Sequence, residues 1–263
     1  MIRKHFPRRA VLAAVAGFSY LLALGAATPA AHAAEIKVMS TVALTPTLDE
    51  LKAKYESSSG NKLTFVYSVI ADLKKRIEAG ETADVMILSR AALDDLQTQG
   101  KVAQGSIVNL GSSYVAIGVR AGAPKPDIST ADKLKAALLA AKSISYADPA
   151  KGGASGVYFA KVLDRLGITD QMKSKTVLVP GAESGELVAK GEVEMAVAQA
   201  SEIAAVAGTQ VVGPLPGDLN SSIVFSAGIG PGSKDPGAAK SLIQFLTGPT
   251  GAAVLKAKGM GPA

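Results

Sequence analysis

The sequence predicts an α/β protein of two lobes, each a small, mostly parallel sheet covered by helices, with a ligand crevice between the lobes. Three observations carry that prediction. Short apolar runs alternate with stretches of helical period along the chain, as in βαβ units. The series occurs twice in tandem, at about 100 residues each, which suits two small sheets better than one large one. The last strand-like run is followed by two helices and no further strand, so the chain crosses back to complete the first lobe.

Taken in order, Ile36 to Met39 reads as a buried strand, and Thr45-Pro46 as the cap and first residue of a helix with Leu48, Leu51 and Tyr55 on its inner face. Gly60-Asn61 stops it. Leu63 to Tyr67 is the next strand, Asp72 caps a helix carrying Leu73 and Ile77, and Gly80 ends that one. Asp84 to Leu88 is a strand, and Leu93 and Leu96 mark a helix closed by Gly100. The second series has a strand at Val115 to Val119, a helix with Leu134 and Leu138, and a strand at Ser143 to Tyr146. A helix with Phe159, Val162, Leu163 and Leu166 follows, then strands at Thr176 to Val179 and Glu194 to Gln199 around a short helix at Leu187-Val188. Ile223 to Ile229 is the last strand, before helices around Leu242-Phe245 and Val254-Leu255. Lobe I is then 34–115 plus 223–263 and lobe II is 116–222. The hinges fall at the start of the 115–119 strand and at the Gly-Pro-Leu-Pro-Gly stretch 213–217.

Residues 1–33 have the layout of a cleaved signal peptide: Arg3, Lys4, Arg8 and Arg9, an apolar run from Ala10 to Ala26, and Ala31-His32-Ala33 as the cleavage site. Gly17, Ser19, Gly25, Thr28 and Pro29 dilute the run, which argues against a retained membrane helix. Export to the periplasm of a Gram-negative bacterium is expected, by the Sec route or, given Arg8-Arg9, by Tat. Cleavage removes four of the 28 basic residues and none of the 22 acidic ones, which lowers the formal charge from +6 to +2. No basic run longer than Lys74-Lys75-Arg76 survives, so nucleic acid is not an expected partner. Both histidines, His5 and His32, leave with the signal, and the chain has no cysteine. Ser-His and Cys-His nucleophiles, the usual zinc sites and disulfides are thereby excluded from the mature chain. A lipid anchor on cysteine is excluded too. A freely diffusing monomer without cofactor or metal is the expectation.

In open α/β sheets the ligand lies beyond the carboxyl ends of the strands, where helix N-termini present free N–H groups. That rule selects Ser40 and Thr41 after the first strand, Ser68 after the second, and Ser89 and Arg90 after the third. From lobe II it selects Ser155 and Gly156, Gly181 and Gln199, with Tyr158 on the following helix. The loop Ala147 to Gly156 reads either as a backbone cradle for an anion or as a flexible turn with Ser155 as helix cap. Lys151 precedes its glycines and no Gly-Lys-Ser/Thr follows, so it is no Walker loop. Arg90 reads either as a bidentate partner for a carboxylate or as a solvated arginine in a first helical turn. Tyr67, Asp148 and Glu183 are further candidates, with core packing or capping as their plainer roles.

From about residue 35 onward the chain resembles the type II periplasmic solute-binding proteins, most closely their molybdate-binding branch. The resemblance is carried by Ile36 to Ser40 with Leu44-Thr45, by Arg76 to Gly80 with Ala83-Asp84-Val85, and by Asp148-Pro149 with Ser155 to Tyr158. Phe245 to Pro249 with Ala252-Ala253 completes it. It implies a small anionic ligand and an ABC permease as partners. The ligand positions depart from the pattern: the family's two hydroxyl ligands fall at Ala43 and near Ile70, and its tyrosine at Gln199. Molybdate is therefore not expected, because an oxyanion short of its donors in a closed crevice is costly. The sequence is also similar to a divergent branch of this family that includes an aconitate isomerase. The two expectations are a binding protein for an organic carboxylate and a cofactor-free isomerase that shifts an allylic proton.

Overall fold

The computed structural model describes Met1, Ile2 and residues 33–263; the predicted signal segment lies, but for its end residues, outside the described residues. The strand β1 (Glu35–Thr41) and the strand β2 (Lys62–Ser68) flank the helix α1 (Thr45–Ser59), whose Leu48, Leu51 and Tyr55 are buried as their spacing implies. Gly60 ends α1 at φ +75°, a left-handed conformation open to a residue without Cβ. The start differs from the sequence reading. Thr41 caps a turn of 3-10 helix at Val42–Leu44 that runs straight into α1, so Thr45 is a helical residue and not the cap. The helix α2 (Ile70–Glu78) also begins early: Asp72 lies in its first turn, 3.6 Å from Arg76, and Val69 holds the cap position with no side-chain bond. Then come β3 (Val85–Ser89) and α3 (Arg90–Thr98), with Ser89 as the cap.

The next strand, β4 (Val108–Arg120), is far longer than the sequence reading, because Val108 to Tyr114 lacks the apolar alternation that marks a strand. Next come α4 (Ala131–Ala140), β5 (Ile144–Ala147), α5 (Ala154–Leu166), a short α6 (Thr169–Lys173) and β6 (Thr176–Val179). After α7 (Ser184–Lys190) and β7 (Met195–Gln199) the chain forms two elements the pattern did not disclose, α8 (Ala200–Ala204) and β8 (Thr209–Pro214). It ends with β9 (Ser222–Ile229), α9 (Pro236–Thr247) and α10 (Pro249–Ala257).

The first sheet runs β2-β1-β3-β9, its first three strands parallel and β9 antiparallel to β3. The second has β7, β5 and β6 parallel, and β4 lies antiparallel to β7 and to β8. The joint is β4. Its residues Val108 to Tyr114 pair with β9, and Val115 to Arg120 pair with β7 and β8. Strand alternation sends side chains to both faces of each sheet. Val85 and Ile87 enter a core with α1, α9 and α10, while Met86 and Leu88 enter one with α2 and α3. Met195 and Val197 likewise pack with α4 and α5, and Ala198 packs toward α8. Both sheets are thus covered on two sides, and their strand ends meet across a crevice.

Candidate functional site

The crevice is walled on one side by Thr41, Val42 and Ala43 after β1, Val69 and Ile70 after β2, and Ile223 and Phe225 of β9. The other wall is Ala147 after β5, Gly153 to Ser155 at the start of α5, Gly181 ahead of α7, and Gln199 and Glu202 at the β7–α8 junction. The walls are nearly shut. The enclosed cavity measures about 20 Å3, and a Cβ on Gly152 would stand 2.5 Å from the Cβ of Ala71 across the gap. A solute larger than water therefore enters by movement of the walls.

Two of the longer helices begin on this cavity without a side-chain cap, as does the short α8 behind Gln199. At α2 the cap residue is Val69, and at α5 it is Gly153, whereas α3, α4 and α9 are capped by Ser89, Thr130 and Asp235. The N–H groups of their first turns thus face the crevice, where a bound anion would take the cap's place. Tight packing holds α5 there: a Cβ on Gly156 would lie 1.8 Å from the carbonyl oxygen of Ala147. Gly156 thereby seats the helix on the end of β5. Ser155 is the second residue of α5 and not its cap; the residue is buried and lines the cavity.

Gln199 is the decisive side chain. It is 2 % exposed; its amide nitrogen has no hydrogen-bond partner among the described residues, and its amide oxygen faces the Glu202 backbone N–H as in a capping box without closing to a hydrogen bond. Leaving such a group unpaired costs about 1–3 kcal/mol, which makes this point of the cavity wall the candidate for a ligand contact. Three residues on, Glu202 accepts from the Gln199 backbone N–H at 3.0 Å. Protein surrounds the Glu202 carboxyl on most sides, although the residue keeps some solvent contact. Burial pushes the carboxyl up to about 7, against the pull of the Gln199 N–H, and the nearby charge of Glu183 adds to the rise.

Of the residues selected from sequence, the structure brings Thr41, Ser155, Gly181 and Gln199 together on the closed cavity. Ala43 and Ile70, the positions of the two missing hydroxyls, line it too. Ser89 and Arg90 lie on a larger, mostly apolar recess of about 730 Å3 that shares Ile70, Ala154 and Ile223 with the cavity. There Arg90 is bonded to Asp94 at 2.8 Å and to Asn109 at 3.3 Å. Ser40 is fully buried and donates to the Thr41 carbonyl, and Ser68 ends β2 opposite Thr41, one residue short of the wall. Tyr158 donates to the Leu219 carbonyl at 3.1 Å within the lobe II core. Tyr67 donates to Asp49 at 2.9 Å, its phenol pushed up by burial and by that carboxylate. Asp148 caps the 3-10 turn Pro149–Lys151, and Glu183 accepts from Gly181 N–H at 2.8 Å. Sequence reasoning missed Glu202, although Gln199-Ala200-Ser201-Glu202 after a strand has the spacing of a capping box.

The family model of the bacterial extracellular solute-binding proteins matches residues 36–261. This chain belongs to that family. Within it, the chain is 34% identical over 263 residues to an aconitate isomerase from a Pseudomonas species, covering 98% of both chains. It is 29% identical over 251 residues to the molybdate-binding protein of Azotobacter vinelandii, covering 92% of this chain and 96% of that one. A solved periplasmic molybdate-binding protein of Azotobacter vinelandii superposes with a TM-score of 0.69, covering 87% of this chain and 99% of the other. In that superposition 18% of residues are identical, so it speaks for the fold alone. The chain is accordingly a solute-binding protein of the molybdate-binding-like kind with a type II fold. Among the described residues no helix is long and apolar enough to cross a membrane.

Proposed function

We propose that the protein, once exported to the periplasm, closes its two lobes over a small organic carboxylate and delivers it to an ABC-type permease. The observation that carries the ligand class is the unpartnered Gln199 amide, set on the same cavity as the uncapped N-termini of α2 and α5. Neutral donors and partial positive charge suit an anion. A planar carboxylate suits this wall better than a tetrahedral oxyanion, since Ala43 and Ile70 offer no side-chain hydroxyls. Lobes at 34–115 plus 223–263 and 116–222 would turn about the middle of β4 and the segment after β8, where the pairing changes sheets. A thermal-shift panel of molybdate, sulfate, succinate and tricarballylate tests the reading. Stabilisation by the carboxylates alone supports it, and strong stabilisation by molybdate overturns it.

A second reading has its own support. The aconitate isomerase relative is similar from end to end, and Glu202 places one carboxylate on the cavity wall with an oxygen left free by the Gln199 N–H. An allylic proton shift needs one base beside the acidic carbon. Tyr67 is committed to Asp49, and Lys151 sits exposed on the turn before α5, so Glu202 is the candidate base. Incubation with cis- or trans-aconitate in deuterated buffer, followed by NMR, separates the two. Interconversion with deuterium uptake favours the isomerase; binding without turnover removes it.

A further inference from the structure

We propose that Glu202 and a carboxylate of the bound solute share a single proton, so that each anion entering the crevice brings a proton in with it. The inference deepens the carboxylate reading above and rests on it. Its basis is geometry and charge. Glu202 lines the closed cavity beside the unpartnered Gln199 amide; one of its oxygens is held by the Gln199 N–H, and the other has no hydrogen-bond partner among the described residues. No lysine or arginine lines that cavity. An anion admitted there meets a second carboxylate with no cation to offset the pair. Two carboxylates in contact, away from bulk water, cannot both stay ionised, and the pair keeps one proton. A protonated Glu202 is moreover an O–H donor, which the wall supplies at few other points.

The surroundings do not restore a counter-charge. The charged or titratable groups on the elements packed against α8 are Glu183 ahead of α7, Glu186 and Lys190 on α7, Tyr114 and Arg120 on β4, and Lys258 after α10. Lys190 is paired with Glu186 at 3.8 Å and Lys258 with Glu50 at 3.1 Å. The charge felt by Glu202 is that of Glu183, which disfavours ionisation further. Since burial already holds the free carboxyl at about 7, its proton is exchangeable at neutral pH.

The experiment is isothermal titration of the full mature chain with tricarballylate, a saturated tricarboxylate that cannot undergo the allylic shift. It is run from pH 7 to pH 9, where the ligand is ionised, in buffers of different ionisation enthalpy. The expected result for the wild type is uptake that approaches one proton per ligand at the upper end. The affinity should fall about 50-fold across that range. Glu202→Gln should bind with no proton uptake and with a flat pH profile. Binding by the wild type without proton uptake overturns this proposal and leaves the carboxylate site standing, whether or not the variant folds. Retention of the wild-type pH dependence by Glu202→Gln overturns it too. If neither tricarballylate, succinate nor trans-aconitate binds at any pH, the carboxylate reading itself falls and takes this proposal with it.

Discussion

Gly156→Ala probes the seating of α5 with a single methyl group. The added Cβ would stand 1.8 Å from the Ala147 carbonyl oxygen and 2.7 Å from its carbonyl carbon, both backbone atoms that no rotamer change can move aside. Ordinary C···O contacts run about 3.3–3.6 Å, so the helix start must retreat by about 1.5 Å. Overpacking of this kind costs up to about 3 kcal/mol. Helix propensity works the other way, since Ala is better than Gly by about 1 kcal/mol. The net loss is then about 2 kcal/mol, or roughly 4–8 °C in Tm for a domain of this size. Because the N–H groups of α5 move with it, affinity for the solute should fall as well. Calorimetric melting and ligand titration read both effects, with Gly232→Ala as control, a position where a Cβ meets nothing within 4 Å. A Gly156→Ala protein that melts within about 1 °C of the wild type, with unchanged affinity, would refute the packing argument.

Three further outcomes are expected. Gln199→Met removes the orphaned amide at similar volume, so the ligand-free protein should melt higher, by the equivalent of about 1–3 kcal/mol, while carboxylates lose their stabilising effect; a lower Tm with the ligand effect retained would mean that the amide is already satisfied. Arg90→Ala loses an exposed pair worth at most about 1 kcal/mol and should leave carboxylate affinity unchanged; a tenfold loss measured by titration would place Arg90 on the ligand. Burial raises Glu202 in the folded state from its ordinary value of 4.5 to about 7, so between those values the folded protein holds a proton that the unfolded chain has released. Its contribution therefore falls as pH rises through that window and is level above it. The Tm of Glu202→Gln minus that of wild type should accordingly climb from pH 5 to pH 7 and then stay constant, and a difference that falls with pH would contradict the shift.

The βαβ rhythm was legible because buried strands and amphipathic helices must repeat with periods near 2 and 3.6, as at Val85 to Leu88 and at Leu48, Leu51 and Tyr55. Much of the crevice could be located by rule, since strand ends and helix starts are sequence features: Thr41, Ser155, Gly181 and Gln199 were found that way. The first half of β4 was not, because Gly111, Ser112 and Ser113 carry no strand preference and are held by β9 on one side and a bridge to Gly261 on the other. Asp72 and Thr45 misled for a related reason. Each has capping chemistry, but the preceding residues were free to start the helical turn earlier.

By itself the sequence determined the kind of molecule: a first segment with the layout of an export signal that holds both histidines, a chain without cysteine, and two tandem α/β series. These follow from composition and from local periodicity, which need no distant contact. Only the tertiary structure decided which of the crevice candidates share a wall. Arg90 turned to Asp94 and Asn109, Tyr158 to Leu219, and Gly156 became the seat of a helix. It also singled out Gln199 as an unpaired amide and brought Glu202 beside it without a cation. Burial and the absence of a partner are properties of everything that surrounds a side chain, and residues far apart in the sequence supply those surroundings.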